Sequence, residues 1–590
     1  MDLLREIASQ HILLWIVPAS AAILVSAIGG RVSRRVLSAM SIAGLCVPFL
    51  QSLASVVFFM WGAHQGFLNR VEMGVMSGGG LFAISFVLEP VGAWATLLAT
   101  TLALAVQVHA VDAVSRLVGR HRFHALIMAV AAAGGVLFTA ASPLTTLFGW
   151  ESLALAGAFM AGFWESEEGG ERIGMRWLLF QRTSGVLLLL GFLALELFEE
   201  AGVFFILGAV CVRLGQLPFH GWIPDSTRAP ASATALVHGL ASLLAGVYIL
   251  DKFWPWLART ANVPELVGII GAAGVGLGIL AGLQQHRPAK TLGWMFMLMG
   301  GLTLMCFAIG DPAGARMLTT GAVLTLGGQV LAIGRLTGPL AETENLPASV
   351  RAVTYERRSF GVLAAAMALP PSMMFVALGR FCGSAPAGTI GTLTRILTCL
   401  ALFSAGWISR RLYVSLQASP RQLVKTNDRW SGFAPAMLGV LAFALGLLTL
   451  FTHSASRHVY GNVHGLIWAF GCSLSLLVGW LFAWWLGCKN YRSWPRRLTT
   501  TQYMMDKVAG TGLGIGEMIV QLPILILRAI GVVFWRGIGD FILDTLIFGT
   551  AVRTVEGIGT ALRYIQNGRI QRYIFVTVLA TLLLVLAMLR

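Results

Sequence analysis

Charge is the scarcest property of this chain. Only 12% of its 590 residues are charged, whereas 57% are hydrophobic. Soluble globular proteins carry about 25% charged residues, so the deficit excludes that class and predicts a polytopic membrane protein. The first apolar run, residues 11–29, is long enough to cross a bilayer and has no small-residue cleavage site after it. We therefore expect it to be retained as a span.

Metal-binding and catalytic motifs are also missing. The seven cysteines form no CxxC pair and have no histidine at ligand spacing, which argues against a disulfide framework, a zinc site or an iron–sulfur cluster. No nucleophile motif, phosphate loop or nucleotide fingerprint is present either. We expect no catalytic residue, no metal and no cofactor in this chain. The glycine-rich run 271–282 is interpreted as helix packing within a span.

Long apolar runs occupy most of the chain instead. Sixteen of them have about the length that a bilayer requires, which predicts an all-α polytopic membrane fold. The predicted spans are 11–29, 36–61, 91–111, 123–142, 143–164, 173–197, 203–216, 230–251, 264–284, 291–309, 316–336, 359–379, 390–409, 433–452, 464–485 and 573–589.

Basic residues are concentrated in the loops after odd-numbered spans, such as Arg34 and Arg35 after the first and Arg410 and Arg411 after the thirteenth. Cytoplasmic loops of membrane proteins are enriched in lysine and arginine. We therefore expect a bacterial-type inner membrane protein with its N-terminus outside and its odd-numbered loops in the cytoplasm. This placement explains the net charge of +16, and no nucleic acid is expected as a partner.

The C-terminal segment 499–572 is too regularly charged to be a simple loop. After Pro523, arginines and acidic residues recur among apolar residues at roughly helical spacing. This pattern predicts a lateral amphipathic helix, about 60 Å long, on the cytoplasmic surface of the membrane. Two interfacial helices broken at a glycine are the alternative. The predicted divisions are 1–122, 123–252, 253–498, 499–572 and the anchor span 573–590.

Few charged or titratable residues fall inside the predicted spans. A charge within a bilayer is costly unless it is paired or hydrated, so each is a functional candidate. Glutamate and histidine are suited to a transport path, because they change protonation near neutral pH and arginine does not. A static ion pair between the glutamate and an arginine is the alternative for that pair. The candidates are Glu151, Arg182, Arg213, His238 and Arg395.

The stretch LPFHGWIPDSTRAPASATALVHG (217–239) interrupts the apolar pattern with proline at positions 218, 224 and 230. Pro218, Pro224 and Pro230 predict a helix that breaks within or near the membrane. Broken backbone at that depth requires surrounding protein or a water-filled cavity. After Pro230 the helix restarts with small residues and brings His238 to the middle of the bilayer.

Four motifs in these segments occur together in one known family. FGWE (148–151), QLPFHGWIPD (216–225), ALVHG (235–239) and GVY (246–248) appear in this order. The chain resembles the antiporter-like subunits of proton-pumping NADH:quinone oxidoreductase (complex I). It is also similar to the large subunits of multi-subunit cation/proton antiporters and to the membrane half of inorganic-carbon transporters. The C-terminal part, 500–590, resembles the lateral helix and anchor of the distal, L-type subunit of complex I.

The resemblance implies roles for individual residues. Glu151 matches the glutamate of the family's proton path, and His238 matches the histidine that passes protons toward the centre of the chain. Asp225, with Pro224, matches the WLPD segment after the broken seventh helix. Arg213 stands where the family has its central lysine, the partner of that glutamate.

Several positions depart from the family pattern. Arg182 matches the arginine of an NRVGD pattern, but its aspartate falls on Gly185. Span eleven has no lysine, and Leu378 stands at the lysine position of the broken twelfth helix, with Arg380 two residues later as a weak substitute. The polar residues that span eleven offers instead are Thr319, Thr320, Thr325 and Gln329.

These departures leave two explanations open. Arginine practically never gives up its proton, so Arg213 cannot switch as a lysine can. Either the chain conducts protons by another route, with Glu151, His238 and water, or it has lost pumping and acts in structural coupling.

The resemblance also implies the setting of the chain. It predicts a membrane subunit of a complex I-like translocase that meets quinone and NADH only through partner subunits and performs no redox chemistry itself. Its expected partners are neighbouring membrane subunits and the lipid bilayer. The alternatives are the membrane half of a two-component inorganic-carbon uptake system and a scaffold subunit that transports nothing.

Overall fold

The computed structural model describes most of the membrane region and parts of the C-terminal segment. The described residues are 6, 9–60, 71–72, 84–115, 119–163, 170–285, 287–334, 350–418, 429–451, 463–485, 515–533, 549–565 and 579. They are almost entirely helical. A two-residue antiparallel pairing joins β1 (Val71–Glu72) to β2 (Ser85–Phe86).

The longer helices follow the apolar runs of the sequence. They are α1 (Leu13–Ile28), α2 (Arg34–Met60), α3 (Pro90–Ala113), α4 (Arg120–Thr139), α5 (Pro143–Ala161), α6 (Gly170–Leu197), α7 (Glu199–Arg213), α8 (Ile223–Ser226), α9 (Ala231–Ala235), α10 (Ala245–Leu257), α11 (Val263–Gln284), α12 (Pro288–Ala308), α13 (Pro312–Ala332), α14 (Val350–Ala366), α15 (Met373–Ser384), α16 (Thr389–Ala418), α17 (Arg429–Phe451), α18 (Val463–Trp485), α19 (Ile515–Val533) and α20 (Gly549–Ile565).

The predicted all-α membrane fold is confirmed. By length and composition, eleven of the described helices can cross a membrane, and shorter apolar helices such as α1 and α15 accompany them. The predicted span 359–379 is divided between α14 and α15, with a cis peptide bond between Pro370 and Pro371. The predicted total of sixteen spans is not confirmed, and the last predicted span, 573–589, lies outside the described residues except for Leu579.

The chain divides into two compact units, Met1–Ile519 and Val520–Arg590. The second unit contains most of α19 and all of α20, whose described residues are helical as the lateral helix requires. Residues 534–548 lie outside the described residues, so a single continuous helix stays a prediction.

Polar contacts within the first unit sort into two groups that agree with alternating span directions. One group joins helix ends that adjoin loops after odd-numbered predicted spans: Arg34 with Asp112, Arg176 with Asp225, and Arg411 with the carbonyls of Leu283 and Gln285. The other joins ends that adjoin loops after even-numbered spans: Asp251 with Arg316, Asp311 with Arg380, and Lys252 with the Ala140 carbonyl.

The candidate Arg395 has a local structural role. Its Nε and Nη2 donate to the carbonyls of Cys382 and Ala385, at 3.0 Å and 2.7 Å, at the C-terminal end of α15. The last carbonyls of a helix have no partner within the helix, and in an apolar environment they need donors. Arg395 therefore caps α15.

The glycine-rich part of α11 packs tightly on α12. A methyl group on Gly271 would lie 2.6 Å from the Gly301 carbonyl oxygen, and one on Gly278 would lie 2.8 Å from Cβ of Leu298. Small residues allow helix backbones to approach closely in a membrane. This contact explains the glycine run as packing, as the sequence predicts.

Candidate functional site

The interruption of the apolar pattern is a break between α7 and α9. Helix α7 ends at Arg213, and Gly215 has a left-handed backbone with φ of 62°. A Cβ at Gly215 would lie 2.6 Å from Cδ1 of Ile223, so both the conformation and the space require glycine here. A single 3₁₀ turn, His220–Trp222, and the one-turn helix α8 follow before the chain reaches α9.

Each of the three candidate prolines occupies a distinct place in this break. The peptide bond before Pro218 is cis. Pro224 lies in the first turn of α8, and Pro230 is the residue before α9 begins. These positions suit proline, because the first turn of a helix does not use its N–H groups internally.

His238 lies on a π-helical segment, Leu236–Leu244, in the middle of a long buried helix. Its ring is only 1% exposed and packs between the rings of Trp222 and Phe296, with centroids 5.3 Å and 5.5 Å away. Nε2 lies 2.9 Å from the Ser226 hydroxyl oxygen. A titratable histidine in the centre of the fold is thus hydrogen-bonded to the broken segment.

Glu151, on α5, forms an ion pair with Arg182 of α6. The Arg182 Nη1 contacts Oε2 of Glu151, and Nη2 donates to the Glu151 main-chain carbonyl at 2.9 Å. Gly185 faces the same carboxylate, and a side chain there would collide with Oε1. The absence of the expected aspartate at Gly185 therefore makes room for Glu151 beside Arg182.

Arg213 is fully buried and is held by main-chain groups and an aromatic ring. Its guanidinium carbon lies 3.7 Å from the centroid of the Trp150 ring, and Nη2 donates to the Trp150 carbonyl at 2.9 Å. The Ser242 hydroxyl donates to the Arg213 carbonyl at 2.5 Å. Among the described residues, no carboxylate lies within ion-pairing distance of Arg213; Glu151 pairs with Arg182 instead.

The charged trio of Glu151, Arg182 and Arg213 has formal charges of one negative and two positive. Glu151 interacts electrostatically with both arginines, although only Arg182 touches it. Such a cluster can hold or release one proton at the carboxylate, while both arginines stay cationic.

Asp225 lies outside this cluster. Its Oδ2 is 2.7 Å from Nη1 of Arg176, a residue near the start of α6. Both side chains are partly exposed, at 32% and 26%. The structure thus ties the broken segment to α6 through Asp225, away from Glu151 and Arg213.

The second half of the membrane region offers no comparable group on α13. Thr319 and Thr325 are buried and donate to carbonyls of their own helix, and Thr320 accepts from Nε1 of Trp94 at 2.9 Å. Gln329 is also fully buried. Among the described residues of α13, the single charged side chain is Arg316, which pairs with Asp251 at 2.8 Å.

The lysine position of the broken twelfth helix is apolar in the structure as well. Leu378 is buried, and Arg380 does not replace a mobile lysine. Its Nε and Nη2 donate to the Asp311 carboxylate at 2.9 Å and 2.7 Å. Asp311 in turn caps the N-terminus of α13 through the Gly314 N–H. Arg380 therefore joins α15 to α13 in a fixed arrangement.

Several site residues were not found from the sequence. Trp150 provides both the carbonyl and the ring that hold Arg213, and Ser226 provides the partner of His238. Tryptophan and serine are common in membrane helices, so residue type gave no signal. The sequence signal for Trp150 was its place next to Glu151 in the FGWE motif.

Gly185 gives a direct test of the Glu151 position. We expect Gly185→Ala to lower the stability of the protein by about 1–3 kcal/mol, because the added methyl group displaces the carboxylate from Arg182. The measurement is the temperature at which the detergent-solubilised protein loses its monodisperse chromatographic peak. Gly276→Ala in α11 is the matched control, since a methyl group there meets nothing within 4 Å.

The same substitution in a Glu151→Ala background separates this contact from other effects. Without the carboxylate, the alanine at position 185 has no oxygen to displace, and we expect its destabilising effect to disappear. A loss of stability that is equal in both backgrounds would show that Glu151 does not occupy this position.

The fold and the interrupted helix define a polytopic membrane protein of the antiporter-like class. The whole chain is similar to a chain in the structure of the Mrp complex from Dietzia sp. DQ12-45-1b, with a TM-score of 0.62 and 17% sequence identity. That likeness covers 97% of this chain and 62% of the other. Residues 196–320, which include Arg213 and His238, match the family described as NADH:quinone oxidoreductase/Mrp antiporter, TM.

More particular relatives are named as subunits of quinone oxidoreductases. One is the NAD(P)H-quinone oxidoreductase subunit 5 of Chloranthus spicatus chloroplasts, 23% identical over 38% of this chain and 34% of that protein. Another is the NADH-quinone oxidoreductase subunit L of Neisseria meningitidis, 20% identical over 49% of both. The chain thus spans a third to a half of the length of these relatives. The predicted resemblance to antiporter-like L-type subunits is confirmed.

Proposed function

We propose that this chain is an antiporter-like membrane subunit of a complex I-like NADH:quinone oxidoreductase and takes part in proton translocation during electron transport. The observation that carries the proposal is His238. A buried histidine on a π-helical segment, bonded to a hydroxyl of a broken helix, combines a titratable group with backbone irregularity at membrane depth. Both features are typical of ion-translocating membrane proteins.

In this proposal the first half of the membrane region carries the protons. Glu151 and His238 are the groups that change protonation, and Arg182 is the counterion of Glu151. Arg213 is a fixed cation, because its stacking on Trp150 and its bond to the Trp150 carbonyl hold it in place. The path therefore works without the switchable lysine that the family resemblance implies.

The second half takes a structural role. Its α13 presents neutral side chains at the buried positions, and Arg380 is committed to Asp311. Since a proton path needs groups that gain and lose protons, these contacts favour the transmission of force or position over conduction. Structural coupling is thus the second function that we assign to this chain, in the part where the path is degenerate.

The location and partners follow from the same proposal. The chain resides in a bacterial-type inner membrane with its N-terminus outside and its C-terminal amphipathic segment on the cytoplasmic side. Its neighbours are other membrane subunits of the complex, and NADH and quinone act on it only through them. The distribution of arginines in the odd-numbered loops supports this orientation.

Purification of the tagged protein from its native membrane tests the assignment. We expect several hydrophobic subunits and iron–sulfur proteins to co-purify with it. A single soluble zinc protein as partner would contradict the proposal and support an inorganic-carbon uptake system. If the oxidoreductase subunits co-purify but the complex moves no protons in vesicles after this chain alone is left unchanged and its sister subunits are inactivated, the chain is a scaffold.

A further inference from the structure

Two serines on either side of Pro230 each bond to a histidine from a different helix. Ser226, at the end of α8, is the partner of His238. Ser232, in the first turn of α9, lies 2.9 Å from Nδ1 of His109 on α3. All four of these side chains are buried, with His109 only 4% exposed. The broken segment thus has a buried histidine at each end.

The His109 end of this arrangement leads toward the surface of the protein. Asp112, one turn after His109, accepts from Arg34 at 3.0 Å and from the main-chain N–H of Trp430 at 2.9 Å. The Arg34 side chain is 47% exposed. By the distribution of basic residues, this end of α3 is the cytoplasmic one. His109 therefore lies between an accessible charged group and the interior.

Hydroxyl groups continue along the broken segment between the two histidines. Thr227 donates to the Pro224 carbonyl at 2.9 Å, and Thr234 donates to the Ala229 carbonyl at 3.2 Å. A hydroxyl both donates and accepts, which is what a proton relay needs from each of its members. Arg213 takes part in none of the hydrogen bonds of this segment.

We propose that His109 is a proton-relay residue that supplies His238 from the cytoplasmic side through the hydroxyls of Ser232 and Ser226. The inference rests on the proposed function, and it adds an entry route that bypasses Arg213. His109 gives the proton on Nδ1 to the Ser232 oxygen, which releases its own proton in the same direction. Water molecules pass it across the segment to Ser226, and His238 gains it at Nε2, so no net charge stays on either serine.

A histidine bonded to a serine can also serve only to hold two helices together. The substitution His109→Asn separates the two roles, because the amide keeps a hydrogen-bonding group near the position of Nδ1 but cannot carry a proton. His124→Asn is the matched control. His124 is buried on α4, and its Nδ1 bonds to the Gln107 side chain at 2.5 Å, away from the broken segment.

The experiment compares the intact complex with wild-type, His109→Asn or His124→Asn chains, reconstituted in vesicles with a pH-sensitive dye. We expect His109→Asn to slow proton movement by at least about tenfold, with unchanged assembly and thermal stability, and His124→Asn to leave the rate at the wild-type level. A Ser232→Thr variant, which retains the hydroxyl, should keep most of the rate.

Three results decide the matter. Equal rates for wild type and His109→Asn would overturn the relay. So would a loss of rate in His109→Asn that comes with lost thermal stability and is matched by His124→Asn, since both buried histidines would then be structural. If the wild-type complex moves no protons through this chain, the proposed function itself fails, which is a separate outcome from failure of the relay.

Discussion

Replacing His238 with glutamine is expected to reduce proton translocation by at least about tenfold while the complex still assembles. The glutamine amide can reach the Ser226 hydroxyl that Nε2 of His238 contacts at 2.9 Å, so the link to the broken segment is kept. An amide does not change protonation near neutral pH, so the transfer step is lost. The measurement is dye-detected acidification of vesicles that contain the reconstituted complex.

His464→Gln provides the control for this substitution, because His464 lies on an exposed part of α18 far along the chain from the broken segment. We expect the control to translocate protons at the wild-type rate. Normal translocation in His238→Gln, at normal levels of assembled complex, would show that protonation of His238 plays no part.

The second large effect is expected at Arg213. Taking a charge out of water costs several kcal/mol, and Arg213 is fully buried without a carboxylate in contact. Arg213→Met removes this desolvation cost but also removes the contacts with Trp150. We expect the folded protein to be as stable as the wild type or more so, whereas proton translocation falls by at least about tenfold because the fixed cation beside Glu151 is gone.

Arg213→Lys is the matched variant that keeps the charge. A lysine ammonium cannot reproduce the planar stacking on Trp150, but it retains the cation, so we expect assembly and translocation at least equal to the wild type. Thermal unfolding in detergent and vesicle acidification provide the two readouts. If Arg213→Met translocates protons normally, the cation is a structural element alone.

The geometry of the charged trio differs from the simplest expectation of the sequence. The resemblance implies a pair between Glu151 and residue 213, whereas the structure pairs Glu151 with Arg182 and directs Arg213 to the main chain. The physical reason lies in three neighbouring positions. Gly185 leaves room for the carboxylate next to Arg182, and the Trp150 ring and carbonyl give the second arginine a place of its own.

Most of the fold could be predicted from the sequence because the bilayer imposes strong and local constraints. A span must be apolar over a fixed length, and its backbone groups must be satisfied within the helix, so each span is visible in a short window. The prolines at 218, 224 and 230 likewise locate the break through the geometry of their own rings. Neither inference requires knowledge of what lies next to the segment.

The contacts of the site depend on residues far apart in the sequence, and the sequence alone could not provide them. His109 and Ser232 meet across more than a hundred positions, and Arg316 and Asp251 across a loop and two helices. In the same way, the sequence identified Arg395 as a charge in a span, but only the packing of α16 on α15 shows that it caps a helix end.

By itself the sequence determined that this is a polytopic helical membrane protein with a break before His238, because apolar length and proline geometry are properties of single segments. Only the tertiary structure decided which cation neutralises Glu151, where Arg213 finds its partners and which hydroxyl His238 contacts. The reason is that a buried charge or polar atom is stabilised by whatever donors and acceptors the packed helices bring within about 3 Å of it, and that selection is made in space.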